Sequence, residues 1–141
     1  EYSPASLSID DINAAIVTAN AAGGGIVRLP AGTVTYAATS DQNIILKSNV
    51  ALIGAGSDKA TGTHVPWNQY CSGRGMIGND DGWSSEAANN PVENCVVSDI
   101  NMDWEGSDWT GLGASLNDAA GIQMNDAKNV KVERVIASTN G

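Results

Sequence analysis

The sequence predicts an all-β solenoid with a helix at its N-terminus, and three observations carry that reading. Short apolar runs of strand length alternate with glycine turns between Gly23 and Ser57. An Asn-led pattern recurs at Asn49, Asn94 and Asn129. The 141 residues include 16 glycines and no phenylalanine, and their apolar content leans on Ala, Val and Ile, which suits thin stacked coils better than a thick core.

Taken in order, the elements begin with Ser8, which is placed to N-cap a helix from Ile9, with Asp11 completing a capping-box-like Ser-x-x-Asp. Ile9, Ile12, Ile16 and Ala19 fall on one helical face, and Gly23 ends the helix. Residues 1–22 therefore read as an N-terminal segment with a capping helix, and residues 23–141 as the first coils. Ile26 to Leu29, Ile44 to Leu46 and Val50 to Ile53 are rich in β-branched residues, too short for helices, and bounded by Gly, Pro, Ser and Asn.

Asn49-Val50-Ala51-Leu52, Asn94-Cys95-Val96-Val97 and Asn129-Val130-Lys131-Val132 align with one another. In each, Asn precedes two apolar residues one position apart, the period of a half-buried strand. The second and third copies keep matching, Ile100 against Val135 and Met102 against Ala137. Imperfect repeats of this kind are what stacked coils leave in a sequence, because no coil buries its own apolar face. The three Asn residues are expected at equivalent bends; whether their amides bond in a ladder stays open at this point. Two polar, Gly-rich insertions, about 58–75 and 105–120, separate the copies.

The helix, Asp10-Asp11-Ile12 and Ala14-Ala15-Ile16, is followed by Gly24-Gly25, Leu29-Pro30-Ala31-Gly32, Leu46-Lys47-Ser48-Asn49-Val50 and Gly54-Ala55-Gly56. That order resembles the N-terminal signature of the pectate-lyase-like right-handed parallel β-helix superfamily. The resemblance implies a right-handed parallel β-helix whose N-terminal α-helix plugs the first coil. The superfamily holds polysaccharide lyases, glycosidases and phage tailspikes, so it implies the fold more sharply than the chemistry. Further on, Gly121-Ile122-Gln123-Met124 and Asn129-Val130-Lys131-Val132-Glu133-Arg134-Val135 resemble the coil before the active site of bacterial alginate (mannuronan) C5-epimerases. In that family a Tyr-Gly-Phe-Asp-Pro-His type motif follows and supplies the catalytic Tyr, Asp and His. The present sequence stops at Ser138-Thr139-Asn140-Gly141. The resemblance thus implies an incomplete domain that continues past the C-terminus, and no residue of the chain is assigned as catalytic.

Seven basic against sixteen acidic side chains give a net charge of −9, which argues against nucleic acid as a partner. No apolar run reaches the length of a membrane span, and Glu1-Tyr2-Ser3-Pro4 lacks the features of a signal peptide. The resemblance implies a polysaccharide partner and a secreted or extracellular setting, with a virion as the alternative. The last predicted strand has no polar cap, so either more chain follows or a partner covers it, as a homotrimer or an end-to-end contact.

Carboxylates are the plentiful reactive groups. They serve glycoside hydrolysis in pairs, and they bind Ca²⁺ together with carbonyls. Asn79-Asp80-Asp81-Gly82 is either a calcium turn through Asp80 and Asp81 or an ordinary turn. Calcium is the one cofactor suggested, and none is required. Trp83, Trp104 and Trp109, with Asp103, are the candidate substrate-binding residues, since an indole stacks on the apolar face of a sugar ring. The alternative is that each indole closes a loop over the coil. Asp99 and Asp103 fall on one strand face with Asn101 between them, a pattern that also describes a solvated surface. His64, the one histidine, reads as a polar loop residue. Cys71 and Cys95 lie 24 positions apart, near one coil length, so they either pair or leave Cys95 reduced in the core.

Chemistry at uronates needs cations for the developing enolate charge, yet no Lys or Arg lies between Arg74 and Lys128. The functional expectation is the N-terminal scaffold of an extracellular polysaccharide-acting protein, a lyase, C5-epimerase or glycosidase. The alternative is a tailspike or fibre shaft, or a structural or adhesive glycan-binding module without catalysis.

Overall fold

Helix α1 (Ile9–Ala21) opens the fold in a computed structural model that describes residues 1–37, 42–66, 75–79, 91–103 and 120–138. Ser8 is its N-cap in extended conformation, and the Ser8 hydroxyl accepts from the Asp11 N–H at 3.2 Å. Gly23 and Gly24 follow with φ of 92° and 117°, and their N–H groups close the helix onto Asn20 and Ala19 carbonyls. A Cβ on Gly24 would lie 2.5 Å from the Asn49 carbonyl oxygen, so close approach as well as φ demands glycine there.

Among the described residues nine strands follow: β1 (Gly25–Arg28), β2 (Gly32–Thr33), β3 (Ile44–Ile45), β4 (Val50–Ile53), β5 (Thr63–Pro66), β6 (Gly75–Gly78), β7 (Val92–Asp103), β8 (Ala120–Gln123) and β9 (Ala127–Ser138). Every ladder between them is parallel. One sheet runs β1-β4-β7-β5-β2 with β9 also paired to β7, and a second runs β3-β6-β8. The twelve-residue β7 explains that order. Its first half pairs with β4 and its second half with β5, while β9 follows it along its length.

Ile26, Ala51, Val96 and Lys131 stack in one file at intervals of 25, 45 and 35 residues. The register confirms the sequence alignment: Ile100 faces Val135 and Met102 faces Ala137. Asn49, Asn94 and Asn129 have φ of 63°, 57° and 56°, so each turns the chain through the left-handed region that Asn tolerates. Asp99 and Arg134 do the same five residues later, with φ of 59° and 49°. These bends shift the inward alternation by one, so Cys95, Val97, Ile100 and Met102 all point to the interior.

Helix and strands share one core. Ile9, Ile12 and Ile16 pack with Val27, Leu46, Val50, Leu52, Ile77, Val97 and Ile100, all essentially inaccessible. Full burial of each such side chain contributes about 1.5–3 kcal/mol. The helix also supplies polar partners to the strand edge beneath it. Asn13 donates to the Asn43 carbonyl and accepts from the Ile45 N–H, and Asn20 donates to the Ser48 carbonyl. Tyr2 covers the outer edge of β1, its N–H bonding Ile26 and its carbonyl receiving Arg28.

One sequence expectation needs correction. The stretch 58–75, read as an insertion, contains β5. The signal was hidden because one of its two inward residues is polar: Thr63 is fully buried but donates to the Pro30 carbonyl and accepts from the Ala55 N–H.

Candidate functional site

On β5 and the second half of β7, inward Val65, Ile100 and Met102 join the core. Their alternation partners His64, Asn101 and Asp103 therefore occupy the opposite, outer face. His64 lies beside Asn101 in register, and Asp103 follows two residues along β7. Strand spacing places these positions about 4.8 Å apart across the sheet and about 6.7 Å apart along it. Thr33 precedes His64 in the same file and Ile136 follows Asn101, both exposed.

Outer-face residues are usually solvated, yet His64, Asn101 and Asp103 are 4%, 5% and 3% exposed. The loop 54–62 bonds two of them, Asn101 and Asp103. Its neck closes where the Thr63 N–H bonds the Gly56 carbonyl, and a Cβ on Gly62 would strike that same oxygen. Its crown is held by Asp58, whose carboxylate accepts from the Ala60 and Thr61 N–H groups and from the Thr61 hydroxyl. Those bonds, the Thr61 hydroxyl foremost, hold the Asp58 carboxyl below its usual range. Lys59 then extends to Asp103 at 2.6 Å, and Asn101 donates to the Ser57 carbonyl at 3.2 Å.

Three atoms of this outer face, His64 Nε2, Asn101 Oδ1 and Asp103 Oδ1, are buried and make no hydrogen bond among the described residues. Buried polar atoms are rarely left unpaired in a folded protein, because each costs on the order of 1–3 kcal/mol. Three on neighbouring register positions make this outer face the candidate site.

A second polar pair sits at the bend of β7 and β9. Arg134 donates through Nε and one Nη to both oxygens of Asp99, at 2.6 and 2.8 Å. Those bonds, with one from Ser98, lower the Asp99 carboxyl to about 2, and the same pairing raises Arg134 above its already high value. With both carboxylate oxygens satisfied, Asp99 serves architecture.

Of the predicted site residues, Asp103 lies in the candidate site, although buried beneath Lys59 and not solvated. The left-handed bend at Asp99 separates it from Asp103, so the two do not share a continuous strand face. Trp83, Trp104, Trp109, Asp80 and Asp81 lie outside the described residues, as does Cys71. Asn79, beside the proposed calcium turn, holds Asn125 through its amide, donating to the carbonyl and accepting from the N–H. Among the described residues no group of three or more His, Cys, Asp or Glu is arranged to hold a metal, and no helix is long and apolar enough to cross a membrane. Cys95 is a free, buried thiol.

Sequence reasoning missed His64, Asn101 and Lys59. His64 was read as a loop residue because β5 lacked a legible pattern. Lys59 stands 44 positions before the carboxylate it reaches, so a search for cations near Asp103 passes over it.

No protein-family model and no curated protein matches the sequence. Among solved structures, the A-module of Azotobacter vinelandii mannuronan C-5 epimerase AlgE6 matches 92% of this chain at 22% identity with a TM-score of 0.59. The A-module of the same organism's mannuronan C-5 epimerase AlgE4 matches 91% at 24% identity with a TM-score of 0.57. The chain shares their parallel β-helix fold. It spans a third of their length, 33% in each case. Likeness at this identity speaks for the fold and leaves the chemistry to the residues.

Proposed function

We propose that the chain forms the first coils of a closed, right-handed parallel β-helix that acts on an extracellular polysaccharide, with the glycan lying along the outer face of β5, β7 and β9. The observation that carries this reading is the file of buried polar side chains, His64, Asn101 and Asp103, set beside the loop 54–62. A site of fixed polar groups beside a long sheet face suits a chain of hydroxylated rings. Trp83, Trp104 and Trp109 are proposed as stacking partners for the same glycan, and Asp80 and Asp81 as a calcium turn. The names of the similar structures favour a polysaccharide C5-epimerase among the possible activities.

Calorimetric titration with oligosaccharides from alginate, pectate and neutral β-glucans tests the reading. Saturable binding of one of them, weakened by Trp104→Ala with Trp109→Ala, supports it. Absence of binding to all three classes overturns it. On incubation with alginate or pectate, new absorbance from unsaturated uronates marks a lyase, and a changed mannuronate-to-guluronate ratio marks an epimerase.

A second reading, a solenoid used as a shaft or adhesive module in a homotrimer or end-to-end assembly, is favoured by β9. Val132 and Ile136 are half exposed there, at 48% and 50%. Sedimentation showing a stable trimer with no glycan binding supports that alternative.

A further inference from the structure

Chemistry at uronates asks for a cation, and the sequence holds none between Arg74 and Lys128. The fold brings one from further back. Lys59, in the loop 54–62, reaches the outer face of β7 and donates to Asp103 Oδ2 at 2.6 Å. The Lys59 side chain is 42% exposed, whereas that of Asp103 is 3% exposed. The ion pair therefore runs from the interior to the surface with its positive end outward, and Asp103 holds the ammonium from behind.

No other cation serves this half of the face. The outward positions of β5 and of the second halves of β7 and β9 are His64, Pro66, Asn101, Asp103, Ile136 and Ser138, so Lys59 is the one Lys or Arg there among the described residues. On the first half of β9, Lys131 faces Glu133, and Arg134 at the bend faces Asp99 and Glu133. The carboxylate beside Lys59 in sequence, Asp58, is turned into its own loop by the bonds from Ala60 and Thr61. The net charge of −9 repels a polyanion at long range, a repulsion screened beyond about 8 Å at physiological salt, so such a ligand is held by short contact with a fixed cation.

Resting on the glycan reading above, we infer that Lys59 is the specificity-determining residue of this face, receiving the carboxylate of a uronate residue while Asp103 acts as its positioning residue. The carboxylate accepts from the solvent side of the ammonium, which donates in several directions. A lysine side chain ordinarily loses much rotamer freedom when it binds. The bond to Asp103 removes that cost before the ligand arrives.

A uronate oligosaccharide and its methyl ester carry the same ring hydroxyls and differ in the carboxylate charge, so the two together isolate this contact. In calorimetric titration, oligomannuronate or oligogalacturonate is expected to bind about tenfold more tightly than its methyl ester, and the preference is expected to shrink as salt is raised. Lys59→Arg is expected to keep the preference, and Lys59→Met to abolish it while binding of the ester persists. Because Lys59→Met leaves a buried carboxylate without its cation, Lys59→Met combined with Asp103→Asn repeats the test with both charges gone, and persistent ester binding there shows that the face is intact. Equal affinity for acid and ester in the wild type overturns the inference and leaves the glycan reading standing. So does a preference for the acid that survives the loss of Lys59, and so does binding confined to neutral β-glucans. Failure of every glycan to bind overturns both.

Discussion

Asn94 donates its side-chain amide to Asn49 Oδ1 at 3.1 Å and accepts at its own Oδ1 from Asn129 at 2.7 Å, so the repeat seen in the sequence is a continuous amide ladder. All three residues also occupy the left-handed region. Asn94→Ala removes both bonds and puts an ordinary Cβ residue at the bend. With roughly 0.5 kcal/mol for each exposed bond and about 1 kcal/mol for the backbone, the expected loss is about 2 kcal/mol. Asn94→Gly should lose about 1 kcal/mol, since the bend is retained. Urea denaturation checks both, and equal losses for Ala and Gly would show that φ plays no part.

The Asp99–Arg134 pair gives stability a defined acid limb. Asp99 is lowered in the folded chain to about 2 from an ordinary 3.8, so its contribution is present above about pH 4 and lost as pH falls toward 2. Arg134, shifted upward, keeps its charge throughout this window. Urea midpoints of the wild type and Asp99→Asn should therefore differ at pH 6 and converge between pH 4 and 2. Arg134 is exposed and Asp99 partly so, and the pH 6 difference should shrink in high salt. A constant gap from pH 6 to 2 would assign the effect to something other than the carboxylate charge.

Lys59 and Asp103 should behave asymmetrically. Lys59 is 42% exposed and Asp103 3%, so Lys59→Met leaves a buried carboxylate without its cation, at a cost of about 2–3 kcal/mol. Asp103→Asn removes only the buried charge and should cost about 1 kcal/mol or less. The double variant should recover most of the Lys59→Met loss. Thermal and urea unfolding of the three proteins closes the cycle, and strict additivity would show that the contact contributes nothing.

How far the sequence discloses this fold depends on how local each signal is. The helix was legible because Ser8, Asp11 and the Ile9-Ile12-Ile16 face lie within three turns, and β4 because Val50 to Ile53 is apolar between turn residues. The register of β7 on β9 was legible because Asn recurs with the apolar positions behind it. The candidate site was not, for a physical reason. Its members lie on an outer face, where periodicity predicts polar residues without saying which are buried, and two of them are bonded by a loop held by Asp58 and Gly62. The bend at Asp99 also changes which side chains share a face, and no residue-type rule placed it there. Cys95 was read either as paired with Cys71 or as a reduced core residue, and the second reading holds, because Cys95 is a free, buried thiol.

Cys95 gives the last test. It is 1% exposed, its thiol donates to the Lys47 carbonyl at 3.3 Å, and burial pushes its pKa up, which lowers the thiolate fraction available to an alkylating reagent. In the folded protein the Cys95 peptide should stay unlabelled by iodoacetamide and become labelled as urea unfolds the chain, with a midpoint matching circular dichroism. Cys95 pairs in register with Val130, an inward position that holds Val in the next file, so Cys95→Val should fold with a change under about 1.5 kcal/mol. Cys95→Asp places an unpaired charge in the same interior and should prevent cooperative folding. Rapid labelling of Cys95 before any loss of ellipticity would show that the strand opens locally, and the stack from β4 through β7 to β9 would then not be the stable centre of the fold.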